Sequence, residues 1–245
     1  MSAMARDRLF QQENGMRDFR FTSQVAEVFD DMLERSIPNY RQVIELGGQL
    51  LNRLLRPGDP VYDLGCSTGN TLLLLDRCLK VPDLSLVGLD NSPAMIDKAR
   101  RKAENYHLQY PLEFITADIT EHPCPRAGAI MLNYTLQFLR PPARPGFVAR
   151  LHRALRPGGV LLLSEKIILA DAELNRHYIE LHHDFKRARG YSELEISQKR
   201  EALENVLIPF SAAENHQLLQ QAGFKRVEQF FQWFNFASWV AIKEV

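Results

Sequence analysis

The chain has 245 residues, with 30 Lys and Arg side chains against 30 Asp and Glu side chains, so its formal net charge is +0. A protein that binds nucleic acid tightly through counterion release normally has a basic excess, and the whole chain has none. With 45% hydrophobic and 24% charged residues, the composition excludes a disordered protein. At this length we expect one α/β domain over residues 1–245.

The cysteines and the apolar runs limit the cellular location. Cys66, Cys78 and Cys124 form no CxxC pair and leave an odd thiol, which argues against a disulfide framework and a cysteine-rich zinc site. Residues 1–15 contain no apolar run of the kind that a signal peptide needs, and the leucine-rich stretches are too short to span a membrane. We expect a soluble cytoplasmic protein.

Helical periodicity marks the first part of the chain. Apolar residues recur at helical spacing over 22–33 and again over 39–55, and a Pro-Gly pair at 57–58 stops the second run. We therefore predict two amphipathic helices that form an N-terminal cap over residues 22–55.

Beyond Pro60, short apolar strands alternate with helices. The predicted helices begin after Gly69, at Pro93 behind a Ser92 cap, and near Ala143. The predicted strands are Val61–Leu64, Leu84–Asp90, Leu112–Ala117, Ala129–Tyr134 and Val160–Ser164, the last preceded by a turn over 156–159. This alternation predicts a mostly parallel sheet with helices on both faces.

The alternation breaks over about residues 167–209, where two polar helical segments meet at Gly190 and predict a helical insertion. A capping box over 211–214 then opens another helix, which Gly223 ends. Two final strands are predicted over 225–231 and 234–242.

The loop from Asp63 to Gly69 lies between a predicted strand and a predicted helix. Small residues at alternate positions let the backbone approach a ligand at the helix N-terminus, where free N–H groups favour an anion. A nucleotide-type ligand fits this pattern, although a tight turn without a ligand has comparable weight for a lone glycine loop. The same helix N-terminus is a place where the pKa of the Cys66 thiol could be lowered.

Polar side chains also end the next three strands. Asp90 follows Gly65 by about 25 residues, close to the spacing at which dinucleotide folds place a carboxylate on ribose hydroxyls. Its alternative role is a capping partner beside Ser92. Asp118 and Asn133 continue the series, and since ligands of open α/β sheets bind at the carboxyl ends of strands, the four positions together predict a site.

The loop departs from the G-x-G-x-x-G pattern of NAD enzymes, which makes a dehydrogenase a distant alternative. Asp63 is the acidic residue that begins the loop, and two predicted strands follow the last helix. In these features the chain instead resembles the Rossmann-like, seven-stranded fold of class I S-adenosylmethionine-dependent methyltransferases. That family has D-x-G-x-G-x-G here, and Ser67 replaces the middle glycine.

Several longer segments resemble the carboxy-S-adenosyl-L-methionine synthase family over roughly residues 20 to 243. The stretch over 190–200 (GYSELEISQKR) is the most specific, and the loop over 63–69 is shared with many methyltransferases. The other segments are 25–29, 35–40, 89–96, 133–139, 163–166, 182–187 and 234–236.

This resemblance implies an enzyme that converts S-adenosyl-L-methionine and prephenate to carboxy-S-adenosyl-L-methionine and phenylpyruvate. The product would supply the carboxymethyl group of 5-oxyacetyl uridine at the tRNA wobble position, through a separate tRNA carboxymethyltransferase. The resemblance assigns Arg200 to the added carboxylate. The residues that it assigns to S-adenosylmethionine are Tyr40, Gly65, Cys66, Ser67, Asp90, Asn91, Asp118, Ile119 and Asn133.

The family forms homodimers, so Arg200 is expected to act either in its own subunit or in the neighbouring one. No metal, no direct nucleic-acid contact and no membrane contact are expected. The cluster of His177, His182, His183 and Asp184 is a candidate metal site. One helical stripe, however, places His182 and His183 beside a packing face, which favours packing over metal binding; the stripe consists of Leu174, Tyr178, Leu181 and Phe185. No catalytic acid or base is assigned, and Tyr191 and Lys166 are the candidates for neighbours of the reacting groups.

Two other functions use the same features. One is a small-molecule S-adenosylmethionine-dependent methyltransferase, which would use the same cavity with a nucleophilic acceptor. The other is a non-catalytic S-adenosylmethionine-binding partner of a tRNA-modifying enzyme.

Overall fold

Parallel strands form most of the central sheet in a computed structural model that describes residues 5–11 and 19–245. Part of the segment in which we expect no signal peptide, namely residues 1–4 and 12–15, lies outside the described residues. The strands are β1 (Pro60–Leu64), β2 (Ser85–Asp90), β3 (Leu112–Thr116), β4 (Ala127–Asn133), β5 (Leu155–Ile168), β6 (Phe210–Ser211), β7 (Arg226–Trp233) and β8 (Phe236–Ile242).

The sheet order is β3-β2-β1-β4-β5-β8-β7, and the two-residue β6 pairs with the end of β5. The pairs β3-β2, β2-β1, β1-β4 and β4-β5 are parallel, whereas β8 is antiparallel to both β5 and β7. The predicted α/β fold with a mostly parallel sheet is confirmed.

Eight α-helices lie in the described part of the chain, and two single 3-10 turns occupy Leu136–Phe138 and Pro141–Ala143. The α-helices are α1 (Ser23–Ser36), α2 (Tyr40–Leu54), α3 (Asn70–Cys78), α4 (Pro93–Ala103), α5 (Arg144–Ala154), α6 (Ala172–Ala188), α7 (Glu193–Leu203) and α8 (Ala212–Gln221).

Side chains of the central strands alternate between two cores because successive residues of a strand point to opposite faces. In β4, Ile130 and Leu132 pack with α5 and α8, while Ala129 and Met131 pack with α2, α3 and α4. A third cluster joins α1 to Met95 of α4. Helices thus cover both faces, and α1 lies outside α4 on one side.

Side-chain caps fix several helix starts. Thr22, Ser92 and Ser211 each accept a hydrogen bond from a backbone N–H in the first turn, and Ser211 forms the predicted capping box with Glu214.

The predicted turn over 156–159 and the predicted start of the fifth strand at Val160 are wrong. The strand begins at Leu155, which pairs with Ala127. Gly158 adopts a left-handed φ of 74°, and its N–H reaches the carbonyl of Lys243 at 3.1 Å. The register with β4 passes from Leu155 directly to Val160, so residues 156–159 form an irregular bulge within the strand, which hydrogen bonds with Lys243 hold on the other side.

Candidate functional site

One cavity of about 450 Å³ opens at the carboxyl ends of β1, β2 and β4. Its volume is in the usual range for small-molecule sites. All nine residues assigned to S-adenosylmethionine from the sequence line it, namely Tyr40, Gly65, Cys66, Ser67, Asp90, Asn91, Asp118, Ile119 and Asn133. The strand ends therefore meet where the sequence predicts.

The loop after β1 is shaped by left-handed backbone. Gly65 has φ 78°, and a Cβ there would lie 2.5 Å from the side chain of Thr135. Ser67, at the position of the family's middle glycine, has φ 48°. The serine thus adopts the conformation for which glycine is normally used. Burial, helped by Asp63 and Asp90, raises the pKa of Cys66, so a pKa lowered by the helix N-terminus is wrong.

Asp90 is fixed by two backbone donors. The N–H of Ser67 donates to Oδ2 at 3.0 Å, and the N–H of Ser92 donates to Oδ1 at 2.9 Å. Burial raises the pKa of Asp90, while these two hydrogen bonds oppose the shift. Because each carboxylate oxygen can accept more than one hydrogen bond, Asp90 can still accept from ligand hydroxyls.

Asp118 follows β3 at the rim of the cavity. The side-chain and backbone donors of Thr120 both bond to Oδ1, at 2.7 and 2.8 Å. These hydrogen bonds lower the pKa of Asp118, which is exposed. A fixed carboxylate beside the backbone of buried Ile119 can contact the edge of an adenine ring.

Asp63, the last residue but one of β1, lies behind the cavity lining and is 1% exposed. Its carboxyl oxygens form no well-aligned hydrogen bond in the described part of the chain, and the nearby Thr71 hydroxyl only partly offsets the effect of burial. Burial, followed by the charge of Asp90, raises the pKa of Asp63 to about 7. A buried carboxyl group without a well-aligned partner is costly, so this position favours a cationic ligand group nearby.

Helix α1 is tied to the loop by Asp30. Its carboxylate accepts from the hydroxyl of Thr68, from Asn70 at 2.9 Å and from Lys102 at 2.7 Å. Helix α1 then contributes apolar side chains to the cavity, including Phe29. The predicted N-terminal helices thus close one side of the site.

Three lysines line another part of the cavity, which we call the lysine wall: Lys166 near the end of β5, Lys186 on α6 and Lys199 on α7. Burial and the two neighbouring lysines lower the pKa of Lys186 to about 7. Burial lowers the pKa of Lys199 to about 8. Of the three, only Lys166 is a candidate from the sequence.

His182 lies on the same wall. Its Nε2 is 2.8 Å from the carbonyl oxygen of Ser36, and since a carbonyl can only accept, Nε2 carries the hydrogen. Burial and the adjacent lysines lower the pKa of His182 well below its usual value. The histidine is therefore neutral, and the positive charge of this wall comes from the lysines.

Two other candidates do not line the cavity. Tyr191 is buried beside it, where its hydroxyl donates to Asp7 at 2.6 Å and the guanidinium of Arg35 covers its ring at 3.8 Å. Arg200 is exposed on α7, next to Lys199 in sequence. The assignment of Arg200 to the ligand carboxylate stays a prediction.

The residues of the cavity fit S-adenosylmethionine. Asp63 is a buried carboxyl group with a raised pKa, the Gly65 position leaves no room for a Cβ, and Asp90 is held in place by backbone donors. This set suits a cationic amino-acid moiety and a ribose. Across the described ranges, no group of three or more His, Cys, Asp or Glu side chains could hold a metal ion.

Comparison with known proteins identifies the family. A methyltransferase domain family model matches residues 61–159. The carboxy-S-adenosyl-L-methionine synthase of Desulfotalea psychrophila is 56% identical over 238 residues, which cover 97% of each chain. The chain belongs to the carboxy-S-adenosyl-L-methionine synthase family. The member from Trichlorobacter lovleyi is 47% identical over 92% of this chain and 93% of its own. The member from Photorhabdus laumondii is 45% identical over 92% of this chain and 90% of its own.

Solved structures of other methyltransferases have a fold similar to that of this chain. An O-methyltransferase family protein from Burkholderia thailandensis has a TM-score of 0.64 at 19% identity, covering 91% of this chain and 60% of its own. Human N-acetylserotonin methyltransferase in complex with SAM has a TM-score of 0.62 at 16% identity, covering 91% and 56%. At such identities the likeness establishes the fold alone. No helix of the described residues is long and apolar enough to cross a membrane.

Proposed function

We propose that this synthase makes carboxy-S-adenosyl-L-methionine and phenylpyruvate from S-adenosyl-L-methionine and prephenate. The observation that carries the proposal is the 56% identity, over 97% of both chains, to a relative of that name. The cavity supports it, since its acidic side chains lie at or just after the ends of β2 and β3 whereas its lysines lie on β5, α6 and α7. A methyl donor bears positive charges, so the lysine wall suits an anionic second substrate.

The reaction balances without an external oxidant. Prephenate loses its ring carboxyl group as carbon dioxide and its ring hydroxyl as hydroxide while the ring becomes aromatic. The S-methyl group loses one proton, and its carbon forms the new bond to carbon dioxide. The proton and the hydroxide form water, and phenylpyruvate leaves.

The positive sulfur of bound S-adenosylmethionine acidifies its methyl group, which is the electronic part of the chemistry. The protein supplies position and exclusion of water. Asp90 orients the ribose, Asp118 and Ile119 fix the adenine, and Asp63 favours the ammonium group. The aromatic side chains Phe21, Phe29 and Phe138 pack edge to face beside the cavity and shield it from water.

A direct assay tests the reaction. We expect purified protein with S-adenosylmethionine and prephenate to form, by mass spectrometry, a product heavier by one carboxyl group, together with phenylpyruvate. An ordinary methyltransferase would leave prephenate unchanged. A binding partner without catalysis would bind S-adenosylmethionine and form no product. Either result would refute the proposal.

Arg200 is proposed to act across a homodimer on the added carboxylate. Its exposure on α7 supports this role, because its own cavity does not include it. The planar guanidinium suits a carboxylate. We expect Arg200→Ala to lose carboxylated product and keep S-adenosylmethionine binding, whereas Arg226→Ala, on the exposed edge of β7, should be unaffected.

Mixed dimers separate the two placements of Arg200. A dimer of one Arg200→Ala subunit and one Asp90→Asn subunit regains one complete site only when the arginine acts in the neighbouring subunit. Activity above that of either parent supports the crossed arrangement. An inactive mixed dimer, verified by mass, places Arg200 in its own subunit, and a monomer in sedimentation analysis refutes the dimer.

The product is proposed to serve a tRNA carboxymethyltransferase in the cytoplasm, which forms 5-oxyacetyl uridine at the wobble position. The zero net charge supports a separate tRNA-binding protein. Deleting the gene should remove 5-oxyacetyl uridine from digested tRNA, and an unchanged level would contradict this link.

A further inference from the structure

The lysine wall carries more positive charge than the described residues neutralise. Lys199 is 2.9 Å from the hydroxyl of Ser36 and 4.0 Å from the carboxylate of Asp7. Asp7 also accepts from Tyr191. The ammonium groups of Lys166 and Lys186 form neither a hydrogen bond nor an ion pair within the described ranges.

The side chain of Lys186 is unusually enclosed for a group without a partner. The residue is 9% exposed and lines the cavity, where the charges of Lys199 and Lys166 act on it. Burying an ammonium group costs several kcal/mol unless an anion compensates it. The buried Lys186 and the half-buried Lys166 on the same cavity lining therefore point to an anionic ligand.

S-adenosylmethionine does not account for both lysines. Its sulfonium and ammonium groups are positive, and they suit the part of the cavity lined by Asp90, behind which Asp63 lies. Its single carboxylate cannot neutralise lysines from two separate elements together with Lys199. The anion must come from the second substrate.

We propose that Lys166 and Lys186 hold the keto-acid carboxylate of prephenate, the one that remains on phenylpyruvate. This assignment rests on the proposed function. The ring carboxylate leaves as carbon dioxide, so its negative charge disappears in the transition state. Cations placed on it would stabilise the substrate more than the transition state and slow the reaction. Cations on the retained carboxylate carry no such penalty.

Neutral variants test the assignment. Lys186→Met and Lys166→Met each keep an unbranched side chain and remove one charge. We expect KM for prephenate and Ki for phenylpyruvate to rise in parallel, by about 10- to 100-fold, because each loses a charge-assisted hydrogen bond. The Kd of S-adenosylmethionine should stay unchanged, as measured by calorimetry. Lys225→Met, an exposed lysine on the surface, is the matched control.

Stability separates an anion-binding role from a structural one. Without ligand, Lys186→Met should melt at a higher temperature than the parent protein, because an uncompensated buried charge is removed. If Lys186→Met instead lowers the melting temperature and raises both KM for prephenate and Ki for phenylpyruvate, Lys186 has a structural role and the inference for Lys186 is overturned. Lys166→Met then tests the same site independently.

Each remaining outcome has a distinct meaning. An active parent protein whose two variants keep their KM refutes this inference alone. A raised KM with an unchanged Ki for phenylpyruvate places the lysines on the departing carboxylate, and a raised Kd for S-adenosylmethionine places them on its carboxylate. Both results overturn the assignment. A parent protein that forms no carboxylated product refutes the proposed function itself.

Discussion

Replacing Gly65 by alanine should destabilise the protein through two separable effects. The left-handed φ of 78° costs an alanine about 1 kcal/mol. The new Cβ would also lie 2.5 Å from both Cγ2 and Oγ1 of Thr135, and such overpacking costs about 1–3 kcal/mol more. The free energy of unfolding should fall by about 2–4 kcal/mol, which lowers Tm by about 5–15 °C.

Gly58 provides a matched control. Its φ is 81°, and a Cβ there would meet nothing within 4 Å, so Gly58→Ala should lose only the conformational part, about 1 kcal/mol. Adding Thr135→Ser to Gly65→Ala removes the crowded methyl group and should recover part of the loss. Urea unfolding measures all three variants. Equal losses for Gly65→Ala and Gly58→Ala would refute the close contact between the loop and Thr135.

Three further predictions concern the same loop and its surroundings. Burial raises the pKa of Asp63 from 3.8 to about 7, so folding favours the protonated acid. The stability that this adds is full below pH 3.8 and is lost as the pH rises through 7. Asp63→Asn should therefore flatten the fall of Tm between these pH values, and an unchanged slope would contradict the prediction. A cationic ligand near Asp63 should lower this pKa, so binding of S-adenosylmethionine near pH 7 should release protons. Calorimetry in buffers of different ionisation enthalpy detects this release. The Asp63→Asn variant should release fewer protons, and an equal release would exclude Asp63 as their source. Ser67→Gly should raise the free energy of unfolding by about 0.5–1 kcal/mol by relieving the left-handed φ of 48°, and a loss in urea unfolding would show that the serine is not strained.

The sequence predicts the strand ends of the site well because local chemistry determines them. Nearby residues are enough to recognise the small-residue loop over 63–69, the acid Asp90 at the end of the next strand and Asn133 at the end of β4. Parallel pairing of the strands then brings these positions together. Element types were also correct along most of the chain, with boundaries that differ by a few residues.

The lysine wall was beyond local sequence reasoning. Lys186 lies on α6, where the apolar stripe predicts the wrong packing face: Leu174 and Leu181 are exposed, whereas Lys186 is buried. Lys199 lies on α7, whose residues show little amphipathic periodicity. Their burial depends on how α6 and α7 lie against α1, where Ser36 contacts both Lys199 and His182. Tyr191 shows the same limit, because its partner Asp7 is 184 positions away in sequence.

The position of β8 has a consequence for synthesis on the ribosome. This last strand lies between β5 and β7 and carries Trp239, which is 2% exposed, and Phe236 of the cavity wall. Until it emerges from the exit tunnel, one edge of β5 has no antiparallel partner and the ligand cavity lacks part of its wall. A nascent chain therefore exposes an apolar strand edge of a kind that favours aggregation or chaperone binding. Ligand can stabilise the fold only after translation of the last strand is complete.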